Sequence, residues 1–125
     1  MHTLYLEIIL DEKHLFGMRE EEEIPKLESA IAVTKAKILA LGPMRPGKLS
    51  RQYKDREAKT GSYWQVNYTY QMKSRTEYVR VQSLRRIRKE TATFKEYKRL
   101  SEKWVDLELQ LSLIKSGIEK VAGIA

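Results

Sequence analysis

The chain has no cysteine, which excludes disulfides, thiolate nucleophiles and cysteine-ligated zinc. It has only two histidines, His2 and His14, with no acidic partner at fixed spacing. A zinc site needs three or four convergent ligands, so both read as surface or satisfied side chains. A nucleophilic triad would have to use one of these two imidazoles, and no serine adjoins either. The expectation is a protein without enzymatic activity, metal or cofactor. No apolar run approaches the roughly 20 residues that span a bilayer. Leu4 to Leu10 is apolar, but Glu7 interrupts it and no basic residue precedes it, unlike a secretory signal. A cytoplasmic protein without membrane attachment is expected, so Asn67-Tyr68-Thr69 carries no glycan.

With 125 residues, one domain with a small core is expected, and an oligomer would supplement that core. Charge is distributed unevenly. Residues 1–41 carry net −3, residues 42–90 net +9 and residues 91–125 net +1, within a total of +7. The positive charge is therefore a patch in the middle of the chain.

Hydrophobic spacing predicts two helices. Ile24, Leu27, Ile31, Thr34, Ile38 and Leu41 form one stripe at alternating steps of three and four, a helix over 19–41. Glu20 to Glu23 would sit at its start, where the dipole favours negative charge. Pro25 would be tolerated as a first-turn residue, and Gly42-Pro43 would stop the helix. Residues 1–18 form an ambiguous extension: Leu4, Leu6 and Ile8 suit a strand, while Leu4, Ile8 and Phe16 suit a helix. A second, longer helix is predicted over 82–117, ending at Ser116-Gly117. Its stripe runs through Phe94, Tyr97, Leu100, Trp104, Leu107, Leu111 and Ile114, then Ile118 and Val121. Because the first helix is shorter, the stripe from Phe94 to Ile114 is expected to pair with a second copy as a coiled-coil-like homodimer.

Between the helices, a basic loop over 42–60 leads to a β-hairpin over 61–81. Tyr63 to Tyr70 is rich in aromatic and β-branched residues, and Arg75 to Val81 is the return strand. Alternation places Trp64, Val66, Tyr68 and Tyr70 with Val79 and Val81 on one face. Tyr63, Gln65, Asn67 and Thr69 fall with Thr76, Tyr78 and Arg80 on the other. The fold class is thus α+β: N-terminal helix, central hairpin, long C-terminal helix.

Gly42-Pro43-Met44-Arg45-Pro46-Gly47-Lys48 imitates a phosphate-binding loop, but Leu49 stands where the magnesium-binding Ser or Thr belongs. Its prolines also remove cradle donors. The basic residues themselves are the informative feature. Arg45, Lys48, Arg51, Lys54, Arg56 and Lys59 recur every two or three positions, Arg75 and Arg80 lie on the hairpin, and Arg85, Arg86, Arg88 and Lys89 crowd the start of the second helix. Cations at a helix N-terminus cost about 0.3–1 kcal/mol each, and a docked anion would offset that cost. Phosphate contacts give affinity while side chains at base edges give sequence choice. Gln65, Asn67, Thr69 and Arg80 are base-pairing types on a ribbon that fits a major groove. Nucleic acid is the expected partner, duplex DNA favoured by a small margin over RNA. Tyr63, Trp64, Tyr68, Tyr70 and Tyr78 offer base stacking if their face is open. The alternative is a protein-interaction module that acts through its long helices on a nucleic-acid-processing or phage-defence complex.

The stretch from Met44 to about Leu113 resembles an uncharacterised bacterial and archaeal domain family often encoded near transposases and other mobile elements. The resemblance rests on Pro46-Gly47-Lys48-Leu49, Tyr53-Lys54, Gly61-Ser62-Tyr63-Trp64, Thr76-Glu77-Tyr78-Val79 and Tyr97-Lys98-Arg99-Leu100. The family's cysteine cluster is absent, and the segment between Tyr53 and Gly61 is shorter, so no metal role carries over. The resemblance implies a fold and a mobile-element or phage setting, not an activity.

Overall fold

A computed structural model describes the backbone from His2 to Ile124 and the side chains from Glu21 to Gly117. In chain order it contains α1 (His2–Leu39), β1 (Lys48–Asp55), β2 (Thr60–Tyr70), β3 (Lys73–Val79), a 3-10 turn (Val81–Ser83) and α2 (Leu84–Ile124). The α+β class stands. Two compact units form: a helical one of Met1–Lys37 with Ser101–Ala125, and a sheet-containing one of Ile38–Leu100.

In the helical unit, the stripe on α1 is the inner face. Ile31 and Thr34 are buried, and Ile24 and Leu27 are half-buried. Thr34 keeps its buried hydroxyl satisfied by donating to the Ala30 carbonyl at 2.8 Å, so a polar residue costs little there. On α2, Leu111 is buried and Trp104, Leu107 and Ile114 are half-buried. The Lys35 ammonium sits 5.0 Å from the centre of the Trp104 ring, which ties the two helices together.

Several boundaries differ from the sequence reading. The helix expected over 19–41 begins at His2 and ends at Leu39. Pro25 therefore lies in mid-helix, where it deprives the Glu21 carbonyl of its partner. Glu21 to Glu23 are exposed, so water can satisfy that carbonyl, and the dipole argument for the acidic run lapses. Gly117 does not end the second helix, which continues to Ile124. At 38 and 41 residues the helices are about 57 and 62 Å long, so the length mismatch that called for a second copy is absent. The packing expected for residues 1–18, and the stripe at Ile118 and Val121, lie outside the described side chains.

The sheet unit differs most. Part of the expected basic loop, Lys48–Asp55, is a strand, so the hairpin is a three-stranded antiparallel sheet in the order β1-β2-β3. β1 pairs with the first part of β2, from Lys48↔Asn67 to Asp55↔Thr60. β3 pairs with the later part, from Trp64↔Val79 to Tyr70↔Lys73. The β2–β3 turn is Gln71-Met72, both at positive φ (51° and 65°), the primed geometry that suits hairpin twist. Arg80 and Val81 fall beyond β3, and Val81 is exposed in the 3-10 turn; neither extends its expected sheet face.

Sheet alternation makes one face the core. Val66 and Val79 are buried with Ile87 of α2, and Leu49, Trp64 and Leu84 pack against them. Gly47 is required at the entry to β1: its φ is +140°, and a Cβ there would lie 2.5 Å from Val66 Cγ2.

Candidate nucleic-acid interface

Residues alternate between the faces of a strand, so the register decides which candidates meet. The even positions of β2 face α2, together with Leu49, Arg51 and Tyr53 of β1 and Lys73, Arg75, Glu77 and Val79 of β3. The odd positions of β2, Tyr63, Gln65, Asn67 and Thr69, form the opposite face. Lys48, Ser50 and Gln52 flank them from β1, and Ser74, Thr76 and Tyr78 flank them from β3.

This second face is open and polar. Lys48, Asn67, Thr69, Ser74 and Thr76 are exposed, and Tyr78 is 68% exposed. Its groups are also ordered by one another. Thr76 Oγ1 donates to Asn67 Oδ1 at 2.8 Å, which occupies the amide oxygen and leaves the Asn67 NH₂ as an outward donor. Gln52 Nε2 donates to Ser50 Oγ at 3.2 Å. The Tyr63 and Tyr78 rings lie 6.5 Å apart and tilted by 37°. Ser50 and Gln52 were not among the candidates, because β1 read as loop; the alternation of Leu49, Arg51 and Tyr53 with polar residues was the available signal.

Two turns extend the face in opposite directions. At one end Asp55 Oδ1 accepts from the backbone N–H groups of Glu57 and Ala58, both at 3.1 Å, a local turn that an aspartate stabilises. It carries Arg56 and Lys59, both exposed, with Lys54 just before it. At the other end, residues of β2 and β3 beyond Asn67 run past β1 as a two-stranded ribbon. Lys73, exposed there on the face it shares with Tyr70 and Arg75, is a further cation the sequence reading passed over. The 11 residues of β2 span about 34 Å, close to one turn of duplex DNA.

The rest of the basic segment lies elsewhere. Arg45 donates to Glu77 Oε2 at 3.1 Å and lies 5.1 Å over the Tyr68 ring. Arg51 lies 5.6 Å over Tyr53 and donates to Ser62 Oγ at 3.3 Å. Arg88 lies 5.4 Å over Trp64, and Arg86 pairs with Glu90 at 3.0 Å. Arg75 shares the even face, while Arg85 and Lys89 are exposed on α2. The patch over 45–89 is therefore not one surface. Trp64, half-buried and capped by Arg88, is not open for base stacking, but Tyr63 and Tyr78 are on the accessible face.

Tyr68 and Glu77 form a hydrogen-bonded titrating pair. The Tyr68 hydroxyl donates to Glu77 Oε1 at 2.6 Å. That hydrogen bond raises the Tyr68 pKa and, with Arg45 and Arg75 adding to it against some desolvation, lowers the Glu77 pKa.

Of the residues assigned to a dimer seam, Leu100 is 1% and Leu111 8% exposed, and Phe94, Trp104, Leu107 and Ile114 are half-buried. Only Tyr97 is exposed, its ring 6.2 Å from Phe94. Leu100 and Leu111 of that stripe are covered within the chain, and the others are covered only in part or, at Tyr97, exposed. The exposed apolar residues of α2 are instead Val105, Leu109 and Leu113.

Among the described residues no group of three metal-ligating side chains occurs, and no helix is long and apolar enough to cross a membrane. No protein-family model, curated protein or solved structure matches this chain.

Proposed function

We propose that this protein is a small nucleic-acid-binding accessory or regulator, without catalytic activity, that lays the open face of its sheet against duplex DNA. The observation that carries this reading is the face itself: Asn67, Thr69, Ser74, Thr76 and Tyr78 are exposed and Gln52, Gln65 and Tyr63 half-buried, with lysines and an arginine at its rim and none of these cations tied to a carboxylate among the described residues. Two interstrand spacings make the sheet about 10 Å wide, and the β2–β3 ribbon is narrower still, against a major groove about 12 Å wide. Lys48, Lys54, Arg56 and Lys59 would meet phosphates and set the register. Gln52, Gln65, Asn67 and Thr69 would meet base edges; an Asn or Gln bidentate to adenine contributes about 1–3 kcal/mol of discrimination. A cytoplasmic location and a phage or mobile-element setting belong to the same proposal.

Fluorescence anisotropy with labelled duplex DNA, single-stranded DNA and RNA across a salt series tests it. Four phosphate contacts give a slope of log affinity on log salt of about −3.6 for duplex and a shallower one, about −2.8, for single strands. No binding at low salt to any of the three would sink the reading.

A second reading, a protein-interaction module, is favoured by Val105, Leu109 and Leu113. They recur at steps of four on one side of α2 and are 66%, 57% and 65% exposed. Such a stripe is self-complementary about a two-fold axis, so its simplest occupant is a second copy. Sedimentation equilibrium of the protein and of Leu109→Asp tests the self-association: a dimer that the substitution dissociates supports it, and a monomer at all concentrations refutes pairing of two copies through this stripe.

A further inference from the structure

Where β3 passes into α2, the chain folds around a cleft of about 340 Å³ whose wall includes Arg45, Glu77, Tyr78, Arg80, Ser83 and Arg86. That volume is at the small end of the range for ligand sites. Three arginines and one carboxylate residue, Glu77, are among its lining.

Two of the three are held in place from behind. Arg45 is fixed by its ion pair to Glu77, by the Tyr68 ring beneath it and by its backbone N–H, which donates to the Glu90 carbonyl at 3.2 Å. Arg86 Nη1 donates to both carboxylate oxygens of Glu90, at 3.2 and 3.0 Å. Arg45 Nη1 and Arg86 Nη2 take no part in these bonds and remain as donors. The connecting turn is closed by Ser83 N–H donating to the Arg80 carbonyl at 2.9 Å. Arg80 has no carboxylate partner among the described residues. Gathering like charges costs free energy that a bound anion would return. Arginines already oriented lose less freedom on binding than free ones.

We propose that this cleft is an anion site that takes a phosphate group. The planar fork of an arginine matches phosphate oxygens in pairs, and the Ser83 hydroxyl adds a neutral donor. Tyr78 belongs both to the cleft wall and to the open sheet face, so a phosphate held here would lie at the β3 margin of that face. The source of the phosphate, a nucleic-acid backbone or a strand terminus, rests on the nucleic-acid reading; the anion chemistry does not.

The test has two parts. First, inorganic phosphate is titrated into the whole protein and followed by ¹H–¹⁵N NMR. Saturable shifts confined to the amides of Arg80 to Ile87, and lost in the Arg80→Gln/Arg86→Gln variant with its thermal melt preserved, are expected. Absence of those shifts overturns the proposal. Second, duplexes with 5′-phosphate or 5′-hydroxyl ends are compared by anisotropy. Losing two phosphate contacts should weaken duplex binding about tenfold and flatten the salt slope by about 2. An unchanged slope in the variant overturns the proposal while leaving the sheet-face reading intact. Phosphate shifts without any duplex binding retain the cleft and refute the sheet face. A preference for the 5′-phosphate that the variant abolishes places the terminus in the cleft; equal affinity for both ends places the backbone there.

Discussion

Gly47→Ala isolates one requirement of the sheet. At φ +140° the backbone is in a region open essentially to glycine alone, and holding alanine there costs about 1–3 kcal/mol. The new methyl would also stand 2.5 Å from Val66 Cγ2 and 3.3 Å from the Asn67 carbonyl oxygen. Val66 is fully buried against Val79 and Ile87, so it has no empty space to enter, and overpacking adds about 1–3 kcal/mol. Together these give about 4 kcal/mol, a large part of the 5–15 kcal/mol typical of a folded domain. The assay is urea unfolding monitored by Trp64 fluorescence in a Trp104→Phe background. That background loses no hydrogen bond, because the buried Trp104 Nε1 has no partner among the described residues. With a urea m-value of about 2 kcal/mol/M the midpoint should fall by about 2 M. Val66→Ala removes the clashing methyl, so the double variant should be more stable than the sum of the singles by about 1–3 kcal/mol. A midpoint shift under about 0.5 M, or strict additivity with Val66→Ala, would refute the close approach.

Other outcomes follow from the same geometry. Asn67→Ala should reduce discrimination between duplex sequences by about 1–3 kcal/mol with an unchanged salt slope, whereas Lys48→Gln should weaken all duplexes alike and reduce the slope by about 1; competition anisotropy separates the two. Gln71→Asn with Met72→Gly replaces two side chains held at positive φ and should stabilise the protein by about 1–2 kcal/mol in urea unfolding. The Glu77 pKa is lowered by its hydrogen bond from Tyr68 and by Arg45, so the stability it contributes is present above its unfolded pKa and lost as pH falls through the folded one. Glu77→Gln should remove that part of the acid dependence of the urea midpoint. The Tyr68 pKa is raised by the same hydrogen bond, so its contribution is present below the unfolded tyrosine pKa and lost as pH rises through the folded one; in Glu77→Gln its absorbance titration should return toward ordinary tyrosine.

The inner stripe of α1 and both faces of β2 could be read from spacing alone, because a 3.6 or a 2.0 period survives wherever burial is one-sided. Gln65, Asn67 and Thr69 were placed together for that reason. The third strand was missed because Lys48 to Asp55 is half lysine, arginine and acid, as edge strands often are, and charge masked its alternation. The start of α1 was misplaced because Pro25 and four consecutive glutamates imitate a helix N-terminus. The division of the basic residues was beyond any one-dimensional reading. Arg88 meets Trp64 only through the packing of α2 on the sheet, and Arg45 meets Tyr68 and Glu77 only because the segment before β1 folds over β2 and β3.

That division also explains how α2 tolerates cations in its first turns. Ion pairing and a cation–π contact offset part of the dipole cost before any ligand is considered. Arg86 has Glu90 one turn away, which is worth about 0.3–0.5 kcal/mol at an exposed site. Arg88 lies on Trp64, and a cation over an indole contributes about 0.5–1 kcal/mol or more. For these two residues the terms match the dipole penalty of about 0.3–1 kcal/mol per cation. The crowding of arginines at this helix start therefore does not by itself require an anion. The stronger argument is spatial: Arg80, with no carboxylate partner among the described residues, shares one cleft wall with Arg45 and Arg86, whose charges Glu77 and Glu90 already offset, so a net positive charge remains there for an anion to balance.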